Sequence, residues 1–282
     1  MKDGSMSDTA MLKPVLVDAI GRSGTTVMMN LLASSPAVFV ERDYPYESRY
    51  LTYFASLSRM LDGDAKRAGK WDRNKMLTEP PIEIGGLPWR KLVPNPSNLA
   101  QNCLQDLWKR FSEGVSKGET HYIEKVSRWV SEYVPSIISE SRIIHLVRDP
   151  RDVWLSVAAF NAKRGYLAFG REENDSDEDY LSRFIERVGK RMTPILYREN
   201  TEQEILIRYE DLIADTANEV GRLGDWLNLD LDCSVFSERI QEHVTAPSSG
   251  KSVQRWKREL SRTIRKRFKR EMGDILKGFG YE

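Results

Sequence analysis

The chain is short of cysteine and histidine, with 2 and 3 in 282 residues. Cys103 and Cys233 lie far apart, without metal-ligand spacing, which argues against a zinc module or a disulfide scaffold and fits free thiols in a reducing compartment. No His, Cys, Asp or Glu group has the spacing of a metal site, so no metal is expected. No apolar run approaches the roughly 20 residues of a membrane span. Residues 1–13 are polar and lack the apolar centre of a signal peptide. A cytoplasmic protein with no membrane span is therefore expected. One-sided charge is missing too. With 43 Lys and Arg against 42 Asp and Glu the net charge is +1, so no global field draws the chain to nucleic acid. Repeats and low-complexity tracts are absent. The 40% hydrophobic content suffices for a buried core, and one domain over residues 1–282 is expected, with 1–13 as a flexible N-terminal segment.

Four short apolar runs read as buried strands: residues 15–20, 122–125, 143–147 and 205–208, with a fifth at 38–40. Helical stretches are expected at 24–34, 46–60, 98–116, 129–138, 150–161, 177–200 and 215–227. The alternation predicts an α/β protein, a three-layer fold of the P-loop type with a central parallel sheet flanked by helices. Residues 62–96, rich in proline, and 163–176, rich in glycine and charge, read as irregular; each is a substrate loop or plain surface. Ligands in such sheets bind beyond the C-terminal strand ends. Residues 21–26, 125–128, 148–151 and 209–211 should share that edge.

The most informative segment is Gly21-Arg-Ser-Gly-Thr-Thr26, between a strand and a helix. Glycines there let the backbone wrap an anion, and amides at the helix start donate to it. Thr25 and Thr26 add hydroxyls, and Arg22 adds a fixed cation. A Walker A loop requires Gly-Lys-Ser/Thr. Here Thr25 follows Gly24, and Ala19 stands where that motif's first glycine would be, which argues against Mg-ATP.

A second segment, Arg148-Asp-Pro-Arg-Asp-Val-Trp-Leu-Ser156, delivers Arg148 from a strand end. Asp149 is placed to cap the next helix, with Pro150 in its first turn. Arg148 and Ser156 either grip one phosphate, or form a local Arg148–Asp149 pair beside a packed serine.

Together these motifs resemble those of the PAPS-dependent sulfotransferases, notably bacterial members and the tyrosylprotein and carbohydrate enzymes. Gly21, Arg22, Ser23, Gly24, Thr25 and Thr26 resemble that family's 5′-phosphosulfate loop. Arg148 and Ser156 stand at its 3′-phosphate spacing. Arg208-Tyr-Glu-Asp-Leu212 is similar to a further shared element, which implies that Tyr209 joins the donor site. Ser252-Val-Gln-Arg-Trp256 resembles the segment that closes over the donor, implicating Ser252, Arg255 and Trp256. The resemblance implies a metal-free transfer of a sulfuryl group from PAPS to a hydroxyl or amine, releasing 3′,5′-ADP (PAP). Sulfuryl transfer develops less charge than phosphoryl transfer, so preorganised cations and amides suffice. Arg22 would bind the phosphosulfate and Lys125 would reach the leaving oxygen. The proton acceptor is Glu47, in a Glu-Ser-Arg similar to a Glu-Thr-Arg of the tyrosylprotein enzymes, or Glu124, in a Glu-Lys pair like that of the N-sulfotransferases. Strand alternation lets only one of Glu124 and Lys125 face the crevice. Glu47 also reads as a surface carboxylate paired with Arg42 or Arg49.

Other residues read as structural. His145 lies in an apolar strand and reads as core, His121 precedes Lys125, and His243 sits in a polar stretch. Tyr46, Tyr50 and Phe54 form a helical stripe that reads as core; Tyr44 and Tyr46 could line an acceptor pocket, and Trp71 and Trp89 could gate it. The basic run 262–270 reads as a solvated helix face, with a polyanion-binding role as the alternative. The acceptor is a small molecule, glycan or peptide. The competing functions are a non-catalytic nucleotide- or anion-binding P-loop protein, and a P-loop kinase, which the missing Gly-Lys-Ser/Thr disfavours.

Overall fold

The computed structural model describes residues 11–41, 48–61, 95–236 and 252–281. Glu47, Tyr44, Tyr46, Trp71, Trp89 and His243 lie outside the described residues. Strands β1 (Lys13–Ala19), β2 (Val38–Phe39), β3 (His121–Val126), β4 (Arg142–Val147) and β5 (Glu204–Arg208) make a parallel sheet in the order β2-β3-β1-β4-β5, flanked by helices. This is the α/β class that the alternating pattern predicts. By compactness the chain divides into two units, residues 1–16 with 36–142 and residues 17–35 with 143–282.

In the first unit, helices α2 (Tyr50–Leu61), α3 (Pro96–Val115) and α4 (Arg128–Tyr133) accompany β2 and β3. Its core gathers around fully buried Trp108, whose indole N–H donates to the Leu12 carbonyl at 3.0 Å. Tyr50 and Phe54, four residues apart on α2, both pack on Phe111, with ring centroids 4.9 and 5.7 Å away. These two members of the stripe are half-buried and pack against the core. α3 starts earlier than expected because the Asn95 side chain accepts the Asn98 amide at its N-terminus. α4 is shorter than expected: Pro135 has no N–H to continue the ladder.

The second unit holds α1 (Thr25–Ala33), α5 (Pro150–Arg164), α6 (Asp177–Leu196), α7 (Tyr209–Ala214), α8 (Thr216–Leu227), α9 (Trp256–Glu259) and α10 (Arg262–Gly278). Its core joins Val153, Trp154 and Val157 of α5 to Phe184 and Val188 of α6 and Phe268, Met272 and Leu276 of α10. α5 begins at Asp149, whose carboxylate accepts the Arg151 amide at 2.9 Å, and ends at Gly165 in the left-handed region. α6 stops at Leu196 instead of Asn200. Pro194 interrupts its ladder, and Asn200 is used elsewhere, accepting the Leu206 amide at 2.7 Å.

Candidate active site

The turn after β1 is tight. The Ser23 amide donates to the Ile20 carbonyl at 3.1 Å, and Arg22 takes a left-handed φ of 73°. Gly24 follows with φ 94°, and its carbonyl accepts the Met28 amide to open α1. Glycine is required here on two counts: the left-handed backbone, and a Cβ that would sit 2.4 Å from the Tyr209 ring. Gly21 is likewise pressed by Phe169, 2.6 Å from where its Cβ would be. No acidic residue stands in the first turn of α1 and no side chain caps it. The amides at the start of α1 and the positive end of its dipole are suited to an anionic group.

Arg22, Arg148 and Ser156 meet at this turn. The Arg22 Nε donates to the Ser156 hydroxyl at 3.2 Å, and its guanidinium lies 4.7 Å from the Phe160 ring centroid. Buried Arg148 donates through Nη1 to the Arg22 carbonyl at 2.9 Å and through Nη2 to the Ser252 carbonyl at 2.7 Å. Its guanidinium stacks 4.5 Å from the Tyr209 ring centroid, and Tyr209 and Ser252 share a hydroxyl hydrogen bond of 2.9 Å. Four sequence-predicted residues therefore converge with the glycine loop within the second unit. Arg148 is not paired with Asp149; that carboxylate binds Arg151 instead, at 2.7 Å.

Several buried donors at this place have no partner among the described residues: Arg148 Nε, Ser23 Oγ and Arg255 Nη1. Buried polar groups are normally satisfied, so such a cluster needs an explanation. These donors are cationic or hydroxylic and suit anionic oxygens; two buried carboxylate oxygens, Asp152 Oδ2 and Glu210 Oε2, also lack a partner among the described residues. PAPS, which carries a phosphosulfate and a 3′-phosphate, fits these residues.

The segment from Ser252 lies against α5. The Trp256 amide donates to the Asp152 carboxylate at 2.9 Å, and the Arg151 guanidinium sits 3.5 Å from the Trp256 ring centroid. Arg255 forks onto Glu259 at 2.9 and 2.7 Å. Burial pushes the Asp152 carboxyl up, while the Trp256 amide and the Arg148 charge pull it down. Sequence reasoning missed Arg151 and Asp152 as anchors of this segment. Their signal was the second Arg-Asp in Arg148-Asp-Pro-Arg-Asp152, two charged residues at positions that prove to be buried.

Glu124 and Lys125 belong to the first unit, on β3. Glu124 is fully buried. Its carboxylate accepts the amides of Leu51 and Thr52 at 2.9 and 3.0 Å, the Tyr122 hydroxyl at 2.6 Å and the Thr52 hydroxyl. It thereby caps the N-terminus of α2 from a neighbouring strand. Burial raises its carboxyl above the usual range against these bonds. Lys125 is half-buried and leaves the strand on the opposite side. On either side of residues 42–47, Ser48 and Tyr50 donate their hydroxyls to the Glu41 carboxylate.

His145 is a core residue, as expected, with Nε2 3.1 Å from Glu204 and Nδ1 3.8 Å from Asp18. Among the described residues no three His, Cys, Asp or Glu side chains could jointly hold a metal. No helix of the described residues is long and apolar enough to cross a membrane.

The sulfotransferase family model matches residues 14–233. No curated protein matches the chain significantly. Among solved structures, the sulfotransferase domain of the Synechococcus PCC 7002 olefin synthase is 16% identical with TM-score 0.54, covering 98% of each chain. A sulfotransferase from Alicyclobacillus acidocaldarius is 13% identical with TM-score 0.52, over 95% of this chain and 94% of that one. Mouse SULT7A1, complexed with PAP, is 12% identical with TM-score 0.52, over 94% and 84%. At these identities the likeness is one of fold. The family match spans well over half the chain and includes the glycine loop, Arg148, Ser156 and Tyr209, and by it the chain belongs to the sulfotransferase family.

Proposed function

We propose that the protein transfers a sulfuryl group from PAPS to a hydroxyl or amine of an acceptor, leaving 3′,5′-ADP. The observation that supports this best is the convergence of two cations at one turn: Arg148 bonded to the Arg22 carbonyl, and Arg22 bonded to Ser156. Two anionic ends of one nucleotide need two such groups close together. The donor supplies an SO3 group on a phosphate leaving group, and the remaining chemistry falls to the protein.

In this reading Arg22 and the amides and hydroxyls of residues 21–26 hold the phosphosulfate. Arg148 and Ser156 hold the 3′-phosphate. Tyr209, Ser252, Arg255 and Trp256 complete the donor site, with Asp152 and Arg151 fixing the last of them. Lys125 neutralises charge on the leaving oxygen. Fixed charges and dipoles stabilise the transition state without reorganising, which makes preorganised electrostatics the dominant catalytic effect at a site of this kind.

Glu47 takes the acceptor's proton in this reading. The alternative, Glu124, has both carboxylate oxygens occupied by hydrogen-bond donors that fix α2. That arrangement favours a positioning role for Glu124. The protein carries out this reaction on a small-molecule, glycan or peptide acceptor in the cytoplasm. The test is label transfer from sulfur-labelled PAPS, in EDTA, across phenols, sugars, lipids and peptides. Transfer to one class is expected. Binding of 3′,5′-ADP with no transfer to any class would make the protein a nucleotide-binding module instead.

A further inference from the structure

Helix α10 divides its residues sharply. Phe268, Met272 and Leu276 are buried in the core of the second unit. Arg262, Lys266, Lys269 and Arg270 are exposed. At 100° per residue these four fall within one arc of about 100° on the side away from Phe268. Arg267, outside the arc, is taken up by Glu178 and Glu271. Arg262, Lys266 and Lys269 have no acidic partner among the described residues, and the first acid along the helix, Glu271, pairs with Arg270 at the arc's end. Exposed Lys257 and Arg258 on α9 precede the helix and add two further cations. The whole chain is nearly neutral at +1, so this concentration is local.

The composition of the arc narrows its partner. Protein interfaces rest on aromatic or aliphatic anchors at their centre, and helices that lie on membranes insert an apolar face. Here the apolar face is already spent in the core, and among residues 262–270 the outward arc holds only the four cations, with exposed Thr263 at its edge. A surface of regularly spaced, hydrated cations without anchors suits a flexible polymer with repeating anionic groups. The helix also continues from the segment that carries Ser252 and Trp256, only a few residues downstream.

We propose that the outward arc of α10 is a docking surface for an anionic polysaccharide, which makes a polyanionic glycan the acceptor class. The acceptor half of this statement rests on the sulfuryl-transfer reading above. The docking itself does not.

The test uses the full chain with saturating 3′,5′-ADP, so that the donor site does not compete. Fluorescence anisotropy follows a labelled heparin decasaccharide at low salt. Binding is expected, weakening as ionic strength rises. The triple variant Arg262→Glu, Lys266→Glu, Lys269→Glu should bind about 100-fold more weakly, from the usual contribution of each cation at an anionic surface. Its thermal shift with 3′,5′-ADP should match the wild type, which shows the variant folded and the donor site intact. Equal heparin affinity in the two proteins would overturn the proposal. So would equal binding of neutral dextran, or stronger binding to phosphatidylserine vesicles or duplex DNA than to heparin. A wild type that binds heparin through these residues but shows no 3′,5′-ADP shift would sink the donor reading alone.

Discussion

Arg148 donates through Nη1 to the backbone carbonyl of Arg22 at 2.9 Å, across 126 positions of sequence. Arg22 is a non-glycine residue held at φ 73°, a conformation that needs support. The same guanidinium also holds the Ser252 carbonyl at 2.7 Å. One buried cation thus braces the glycine loop and the segment before α9, and leaves Nε without a partner among the described residues. A lysine carries the charge but not the fork. Arg148→Lys should therefore weaken 3′,5′-ADP binding by about 10- to 100-fold, as expected for loss of a charge-assisted bond. Its melting temperature should fall as well, because two loop carbonyls lose their donor. Calorimetric titration and a thermal melt together check both effects.

Gly24→Ala puts a methyl group 2.4 Å from the Tyr209 ring, at a φ of 94°. Removing the ring relieves the contact but not the backbone strain. Gly24→Ala should lower the unfolding free energy by about 2 kcal/mol or more. The double variant with Tyr209→Ala should not recover wild-type stability. Chemical denaturation of both variants measures this.

The two glutamates should separate cleanly. Glu124→Ala leaves two buried amides and two hydroxyls without their acceptor, and should reduce stability by about 3 kcal/mol. Glu47→Gln should leave stability and 3′,5′-ADP affinity near wild type while turnover falls by about 10²- to 10⁴-fold. Turnover and denaturation measured on both proteins decide the matter. Normal turnover in Glu47→Gln would return the proton-acceptor role to Glu124.

His121 sets an acid sensitivity in the first unit. Burial, aided by the charges of Lys13 and Arg142, pushes its imidazole from 6.5 down to about 4. The folded protein therefore binds fewer protons than the unfolded chain between those values. The stability this group contributes is complete above about 6.5 and is lost as pH falls toward about 4. His121→Gln should remove up to about 3 kcal/mol of that loss. The difference between wild-type and variant denaturation curves over this pH range isolates it from the carboxylates.

The sheet, and the meeting of the glycine loop with Arg148, Ser156 and Tyr209, were legible in the residues alone. β4 runs to Val147 and hands over to the Asp149 cap and Pro150, as the Arg148-Asp-Pro signature implies. The glycine loop is legible because few residues tolerate its backbone and its close neighbours. α10 was harder to read. Its core residues Phe268, Met272 and Leu276 stand four apart among many charges, so the basic run masks the apolar side. The capping role of Glu124 was hidden for another reason. Its donors Leu51 and Thr52 lie more than 70 positions away, and only the folded chain brings them to β3. The same holds for Arg148, whose backbone partners at 22 and 252 leave no trace in local sequence.

The claim that Arg22 and Arg148 hold opposite ends of one nucleotide is tested most directly by comparing two ligands that differ only in the 3′-phosphate. Calorimetric titration of the wild type in EDTA with 3′,5′-ADP and with 5′-AMP makes that comparison. The account predicts binding of 3′,5′-ADP about 100-fold tighter than 5′-AMP, as two charge-assisted contacts would give. Equal affinities, or no binding of 3′,5′-ADP, would contradict it.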